Sequence, residues 1–249
     1  MNELIKIKMS DANLSEWPSL IQDAVDEKEH FSLVIEPERK LCDLCDYLVF
    51  KEGKLIFNSS ELGEMSFDFE EIYGYHQRQN YALSKEPLAK ALAIKGHTET
   101  KRIVWDTTCG TGKDSLLIHF FGAKVVAFER NPVVFLMLKD ALRRFPLDIE
   151  LVFGDASKLQ NTGLPKADVI YYDPMYPAKK KSALARKEMR IFKELVGEDL
   201  DSVDFLEWAM KNAFDRVVIK RPLEADPVKE KPSASYTGKS TRYDMYKIF

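Results

Sequence analysis

From Arg102 to Arg221, short apolar runs alternate with helix-sized segments, and four of the runs close on a carboxylate. The runs are "RIVWD", "KVVAFE", "IELVFGD", "ADVIYYD" and "RVVIKR", with "KDSLLIHFFG", "NPVVFLMLKDALRRF", "SALARKEMRIFKELVG" and "DFLEWAMKNAF" among the segments between them. Apolar strands separated by helices predict a parallel sheet covered on both faces. The tail, "ASYTGKSTRYDMYKIF", alternates around Gly238 and predicts a closing antiparallel hairpin. In such a sheet the carboxyl ends of the strands share one edge, which is where open α/β sheets bind ligands. Asp106, Glu129, Asp155 and Asp173 therefore meet along one rim. A diphosphate would be repelled by so acidic a rim. A ligand carrying an adenosine, a sulfonium and an ammonium would be attracted, which points to S-adenosyl-L-methionine.

The loop "WDTTCGTGKDS" follows the first of these strands. Gly110 and Gly112 let the backbone turn tightly and come close to a ligand, and the helix beginning near Lys113 offers unpaired N–H groups. The third glycine of a dinucleotide fingerprint is replaced by Ser115, and no Walker lysine pattern is present. Glu129 comes 23 residues after Asp106, where an acidic side chain can accept both hydroxyls of a ribose. A glutamate at a strand end is as often simply solvated; the glycine loop upstream is what favours the ribose.

After the strand "VIYY", Pro174 and Pro177 stop regular structure, and a basic run follows. Lys179, Lys180, Lys181, Arg186, Lys187 and Arg190 set six positive charges in twelve residues. A phosphate backbone passing the strand end would meet them, although a solvated helix face has the same composition. Lys220, Arg221, Lys239 and Arg242 extend the same expected surface. Charge is divided along the chain: residues 1–72 hold 7 Lys and Arg against 17 Asp and Glu, while the whole chain of 249 residues has a net charge of only −3. An acidic head before a basic body is compatible with a polyanion partner, and equally with two differently solvated surfaces.

Residues 1–72 divide into short strands ("LIKIKM", "FSLVIE", "DYLVF", "KLIFN", "EMSFDFE"), with a turn at Gly53 and a short helix in "SEWPSLIQDAVDE", which predicts a small α+β unit. "YGYHQRQN" has no clear period. "SKEPLAKALAIKG" predicts a helix capped by Ser84 and stopped by Gly96. The expected division is thus 1–72 and 73–249. Cys42 and Cys45 form a lone C-x-x-C and the four histidines are scattered, so no metal site is expected and the cysteines read as ordinary thiols. No apolar run approaches the roughly 20 residues of a membrane helix, and the N-terminus has no signal-peptide core, so a cytoplasmic protein without membrane partners is expected.

"DTTCGTGKD", "FERNPVV", "DPMYPAKKKSALARKEMRIFKELVGEDLD", "RVVIKRP" and the terminal "RYDMYKIF" together resemble the RsmJ family, bacterial 16S ribosomal RNA (guanine-N2)-methyltransferases that use S-adenosyl-L-methionine. The resemblance covers roughly residues 73–249 and is most specific from Asp173 to Asp201. It implies a Rossmann-like class I methyltransferase fold: a mostly parallel seven-stranded sheet with a C-terminal antiparallel hairpin, beside the small N-terminal α+β unit. It implies cofactor contacts from the loop of Asp106, Gly110 and Gly112, from Lys113 and Asp114, from Glu129 and Arg130, from Asp155 with Ala156 near the adenine, and from Asp173. "D-P-M-Y" is also similar to the wider signature of methyltransferases acting on exocyclic base amines. In that light Asp173 and the Pro174 carbonyl accept from the target amine, and Tyr176 stacks on the base. The implied partner is small-subunit ribosomal RNA or the assembled small subunit. Two departures from the wider patterns stand out: Thr108 occupies a position that is usually glycine, and Met175 one that is usually proline. An adenine-N6 methyltransferase remains an alternative reading, and a nicotinamide-dependent oxidoreductase a weaker one.

Overall fold

The computed structural model describes residues 3–9, 31–37, 46–159, 163–175, 202–229 and 231–249. Backbone contacts divide the chain into two compact units. One contains Met1–Phe69 and Asn131–Pro146; the other contains Glu70–Arg130, Leu147–Pro177 and Glu198–Phe249.

The first unit is built on a five-stranded sheet. Its strands are β1 (Glu3–Met9), β2 (Phe31–Pro37), β3 (Tyr47–Lys51), β4 (Lys54–Ser59) and β5 (Gly63–Met65), in the order β2-β1-β3-β4-β5. β1 runs parallel to β2 and β3, and β3, β4 and β5 are antiparallel. The helix expected in residues 15–27 lies outside the described residues. Glu52 and Gly53 both adopt positive φ, 54° and 75°, which is the two-residue turn that the twist of a hairpin favours. The "EMSFDFE" run is strand only as far as Met65.

The same unit holds a helix, Pro132–Arg144. Asn131 caps it, its Oδ1 accepting from Val133 N at 3.0 Å and Val134 N at 3.1 Å, a contact worth about 1 kcal/mol. Pro132 follows at the first position, where its missing N–H costs nothing. Asp140 on this helix has no exposed surface. Its carboxylate accepts from the Leu55 N–H of β4 at 2.9 Å, from Arg143 at 2.9 Å and from Arg144 at 2.9 Å. The two arginines reach on to the carbonyls of Gly53 and Phe67. The helix is thereby riveted to the hairpin by charge as well as by apolar packing.

The second unit begins with α1 (Phe69–Arg78) and α2 (Pro87–Leu92). α1 covers residues for which the sequence offered no clear period. Its signals are there: Glu70 and Glu71 in the first turn and His76 and Arg78 in the last complement the helix dipole, while Tyr73 and His76 pack on Phe120. Gly74 in the middle weakens the pattern. α2 starts at Pro87 with Glu86 as its cap, and no side chain caps it, so the expected Ser84 cap is corrected. The residue before a proline is pushed out of the helical region, and Glu86 is accordingly extended.

There follow β6 (Ile103–Asp106), α3 (Lys113–Phe120), β7 (Lys124–Glu129) and, after the Pro132–Arg144 helix (α4) of the first unit, β8 (Ile149–Phe153), β9 (Val169–Tyr172), α5 (Ser202–Asn212), β10 (Arg216–Pro222), β11 (Ala234–Thr237) and β12 (Thr241–Lys247). The sheet order is β11-β12-β10-β9-β6-β7-β8. The five strands from β6 to β10 are parallel, and β12 and β11 are antiparallel. This is the expected seven-stranded methyltransferase sheet with its reversed terminal hairpin. The chain runs outward from β6 to β7 and β8, then returns to place β9 on the other side of β6. The order reverses there, so the crevice beyond β6 and β9 is the topological switch point.

Successive side chains of a strand face opposite sides of the sheet. Ile170, Tyr172, Val217 and Ile219 face one layer, where Leu206 and Ala209 of α5 close the core and Tyr172 stacks on Phe205 at 4.0 Å. Val169, Tyr171 and Val218 face the other, with no exposed surface. Each aliphatic side chain so buried contributes roughly 1.5–3 kcal/mol.

Candidate active site

The loop leaving β6 carries most of the site. Gly110 (φ 56°) and Gly112 (φ 77°) lie in the left-handed region, and Gly112 is the N-terminal boundary of α3. A side chain at either position would be strained, so this path needs glycine. The Cys109 N–H donates to Phe128 O at 3.0 Å and the Gly110 N–H to Oε2 of Glu129 at 3.0 Å. Glu129, only 5% exposed, thus ties the end of β7 to the glycine loop. The Gly154 N–H donates to Glu129 O at 2.9 Å, which joins the end of β8 to the same place.

Asp106 has no exposed surface. It accepts from Ser115 Oγ at 2.5 Å and from the Thr108 N–H at 3.3 Å, so its carboxyl organises the loop from beneath. Burial pushes its pKa up to about 7 against the lowering effect of the Ser115 bond. The Cys109 thiol beside it is also buried, which raises its pKa. Cys42 and Cys45 lie outside the described residues.

Across the switch point, the Thr107 N–H and hydroxyl both donate to Tyr171 O, at 3.0 and 2.8 Å. The Asp173 N–H donates to Thr108 Oγ1 at 2.7 Å. The Thr108 hydroxyl thereby links the loop to Asp173. Pro174, buried, follows directly.

A cluster of charge completes the crevice. Lys220 Nζ donates to Oδ2 of Asp114 at 2.7 Å and to Oδ2 of Asp173 at 2.8 Å. The Tyr171 hydroxyl donates to the same Asp114 oxygen at 2.6 Å. Burial alone would lower the Lys220 pKa; Asp114 and Asp173 outweigh it and hold the ammonium well above its ordinary range. Tyr171 is held well above the ordinary tyrosine range by burial and by Asp114. Lys220 was expected to extend a phosphate-binding surface. The structure corrects this: its charge is engaged inside the crevice. Arg242 is corrected likewise, since it binds the buried Asp244 at 2.8 Å and the carbonyls of Leu223 and Ala225.

At the far side of the rim, Asp155 accepts from the Ser157 N–H at 2.9 Å and hydroxyl at 2.7 Å, with Lys158 at 3.2 Å. Burial raises its pKa, but these bonds outweigh that and hold it low. Ala156 is buried with Val126 and Phe128. Lys113 and Arg130 are exposed. Of the expected residues, the fold brings Asp106, Gly110, Gly112, Asp114, Glu129, Asp155, Ala156, Asp173 and Pro174 to one edge of one sheet. Tyr176, Lys179, Lys180, Lys181, Arg186, Lys187 and Arg190 lie outside the described residues. Thr108, Tyr171 and Lys220 are additions the sequence did not single out for this crevice. Among the described residues no group of three or more His, Cys, Asp or Glu could hold a metal, and no helix is long and apolar enough to cross a membrane.

The crevice suits S-adenosylmethionine in its chemistry. A buried carboxylate at the end of β7 could accept from ribose hydroxyls, the glycine path leaves room for close approach, and the carboxylates of Asp114 and Asp173 at the same edge suit cationic groups. The reversed hairpin and this loop at the switch point define an S-adenosylmethionine-dependent methyltransferase.

Residues 28–248 match the family described as putative SAM-dependent methyltransferase. Ribosomal RNA small subunit methyltransferase J of Coxiella burnetii (strain Dugway 5J108-111) is 40% identical over 210 residues, covering 80% of this chain and 82% of its own. The protein of the same name from Bdellovibrio bacteriovorus is 34% identical over 237 residues, covering 93% and 92%. The crystal structure of a SAM-dependent methyltransferase from Neisseria gonorrhoeae superposes with a TM-score of 0.73 at 31% identity, over 98% of this chain and 96% of that one. The chain belongs to the family of ribosomal RNA small subunit methyltransferase J.

Proposed function

We propose that this enzyme transfers a methyl group from S-adenosylmethionine to the exocyclic N2 amine of a guanosine in small-subunit ribosomal RNA. The names of its relatives support the RNA class. The observation that carries the chemistry is Asp173 with Pro174 at the switch point, anchored to the glycine loop through Thr108. Held by Glu129 and the glycine loop, the cofactor would supply an electrophilic methyl group on a sulfonium, its sulfur leaving as a thioether, while the surplus proton of the methylated amine would pass to the Asp173 carboxylate or to solvent.

The protein's part is positioning and charge. A guanine N2 lone pair is delocalised into its ring. Acceptors on its two protons, the Asp173 carboxylate and the Pro174 carbonyl, favour a tetrahedral nitrogen and stabilise the positive charge that develops on it. Glu129 holds the ribose, with Gly110, Gly112, Lys113, Asp114 and Arg130 around the cofactor's remaining polar groups and Asp155 with Ala156 at the adenine. In this reading Tyr176 stacks on the extruded base, and the basic residues from Lys179 to Arg190 contact phosphates. Residues 1–72 form an acidic attachment to the 73–249 catalytic domain, and the enzyme works in the cytoplasm on ribosomal RNA or the assembled subunit.

The test is single-turnover methylation of small-subunit RNA at saturating cofactor, with the modified base identified by mass spectrometry. N2-methylguanosine is expected, and Asp173→Ala should lower the rate by about 10²–10³. N6-methyladenosine as product would replace the guanine reading with the adenine one. A loss below about tenfold would reduce Asp173 to a cofactor-positioning role.

A further inference from the structure

Lys220 lies on β10, where it faces Tyr243 of β12 in register and shares the sheet face of Tyr171. Its ammonium meets two carboxylates, Asp114 and Asp173. Asp114 lies in the first turn of α3, directly after the glycine loop; Asp173 follows β9 and, in the proposed reading, receives the target amine. One ammonium, 21% exposed, bonds both. Two carboxylates facing each other without it would repel, and a lone half-buried ammonium would be destabilised by its lost hydration. The three charges are therefore mutually required, and they span the two halves of the site.

We infer that Lys220 is a positioning residue for methyl transfer: it locks the Asp173 carboxylate to Asp114 on the cofactor-loop helix, so that the acceptor for the amine is set by the same element that frames the cofactor. The inference rests on the reading that Asp173 receives the target amine. It gives a role to the lysine that directly follows the buried run Val217–Ile219 of β10. It also assigns the charge to the reaction centre instead of to RNA phosphates. A lysine on a phosphate adds to RNA affinity and to its salt dependence. A lysine engaged by two carboxylates adds to neither and acts through the geometry of Asp173.

The other titratable groups facing the cluster are Asp106 at the end of β6, Cys109 in the loop, His76 on α1, Tyr171 on β9 and Tyr243 on β12. They are the same in parent and variant, so a difference between the two reports on the cluster itself.

The experiment compares the parent with Lys220→Met and Lys220→Arg. Lys220→Met should lower the saturated single-turnover rate by about tenfold or more, leave RNA affinity and its salt slope at the parental level, and move the acid limb of the rate profile to higher pH. Lys220→Arg, which keeps the charge, should recover most of the rate. In the cofactor-free protein, carboxyl-carbon NMR should show an aspartate titrating at higher pH in Lys220→Met than in the parent, because one of two opposed carboxylates then keeps its proton. A parental rate, profile and titration in Lys220→Met would overturn the inference. So would a fall in RNA affinity and salt slope at an unchanged saturated rate. Should Lys220→Met fail to fold, Asp114→Asn removes the other end of the lock and is expected to slow the saturated rate in the same way; a parental rate there overturns the inference. A parent that methylates no RNA would instead sink the proposed function, while the NMR comparison would still decide whether Lys220 couples the two carboxylates.

Discussion

The Gly110 N–H donates to Oε2 of Glu129 at 3.0 Å, so the glycine loop after β6 and the acidic end of β7 are one unit. A carboxylate expected only to hold a ribose also holds the loop that frames it. Glu129→Ala should weaken S-adenosylmethionine binding by about 1.5–3 kcal/mol, the range for hydrogen bonds to a charged group. Calorimetry measures this directly, and a parental affinity would remove Glu129 from the cofactor site. Glu129→Gln keeps an acceptor for Gly110 and should lose less.

Asp106 predicts a pH dependence. Its folded-state pKa is raised to about 7, from an ordinary value of 3.8. Between those values the folded protein binds a proton that the unfolded chain has released, so stability falls as pH rises through this window. The stabilisation is fully present below the lower value and is lost as pH passes the upper one, up to about 4 kcal/mol in all. Asp106→Asn does not titrate. Urea denaturation at a series of pH values should show a flatter profile for the variant than for the parent, and parallel profiles would contradict the assignment.

Gly122 follows α3 with φ +103°, and a Cβ there would lie 2.7 Å from the carbonyl carbon and oxygen of Gly96. Backbone cannot move aside as a flexible side chain can. Gly122→Ala should therefore destabilise the protein by about 1–3 kcal/mol. Cofactor affinity measured below the melting transition should stay parental, because Gly122 is at the other end of α3 from the glycine loop. An unchanged melting temperature would show that the turn relaxes.

For the basic run, replacing Lys179, Lys180 and Lys181 by Ala should weaken RNA binding and reduce the salt slope by roughly one unit per lost phosphate contact. Cofactor affinity should not change. Fluorescence anisotropy across a salt series gives both numbers, and an unchanged slope would make the run a solvated surface.

Much of the second unit was legible in local pattern. Its five parallel strands and terminal hairpin, and in the first unit the helix start at Pro132, are written as apolar runs and breakers, which act over a few residues. The place of β9 on the other side of β6 is not written in local pattern, because apolar runs give strands and not their order in a sheet. α1 was missed because Gly74 dilutes a helical signal that packing against Phe120 restores. Ser84 was mistaken for a cap because Pro87, one turn later, controls where the helix can begin.

The acidic strand ends show where local pattern stops. The sequence alone determined that Asp106, Glu129, Asp155 and Asp173 would share an edge, because parallel strands of similar length end together. It could not determine which of them face a ligand. Asp106 turns inward to Ser115, Glu129 ties to Gly110, and Asp114 and Asp173 are bound by a lysine more than forty residues further on. Only the tertiary structure decided the place of Lys220. Its surroundings come from the register of β10 on β9 and from the helix above them, and a charge's energy depends on what lies within a few ångströms of it, not on its neighbours along the chain.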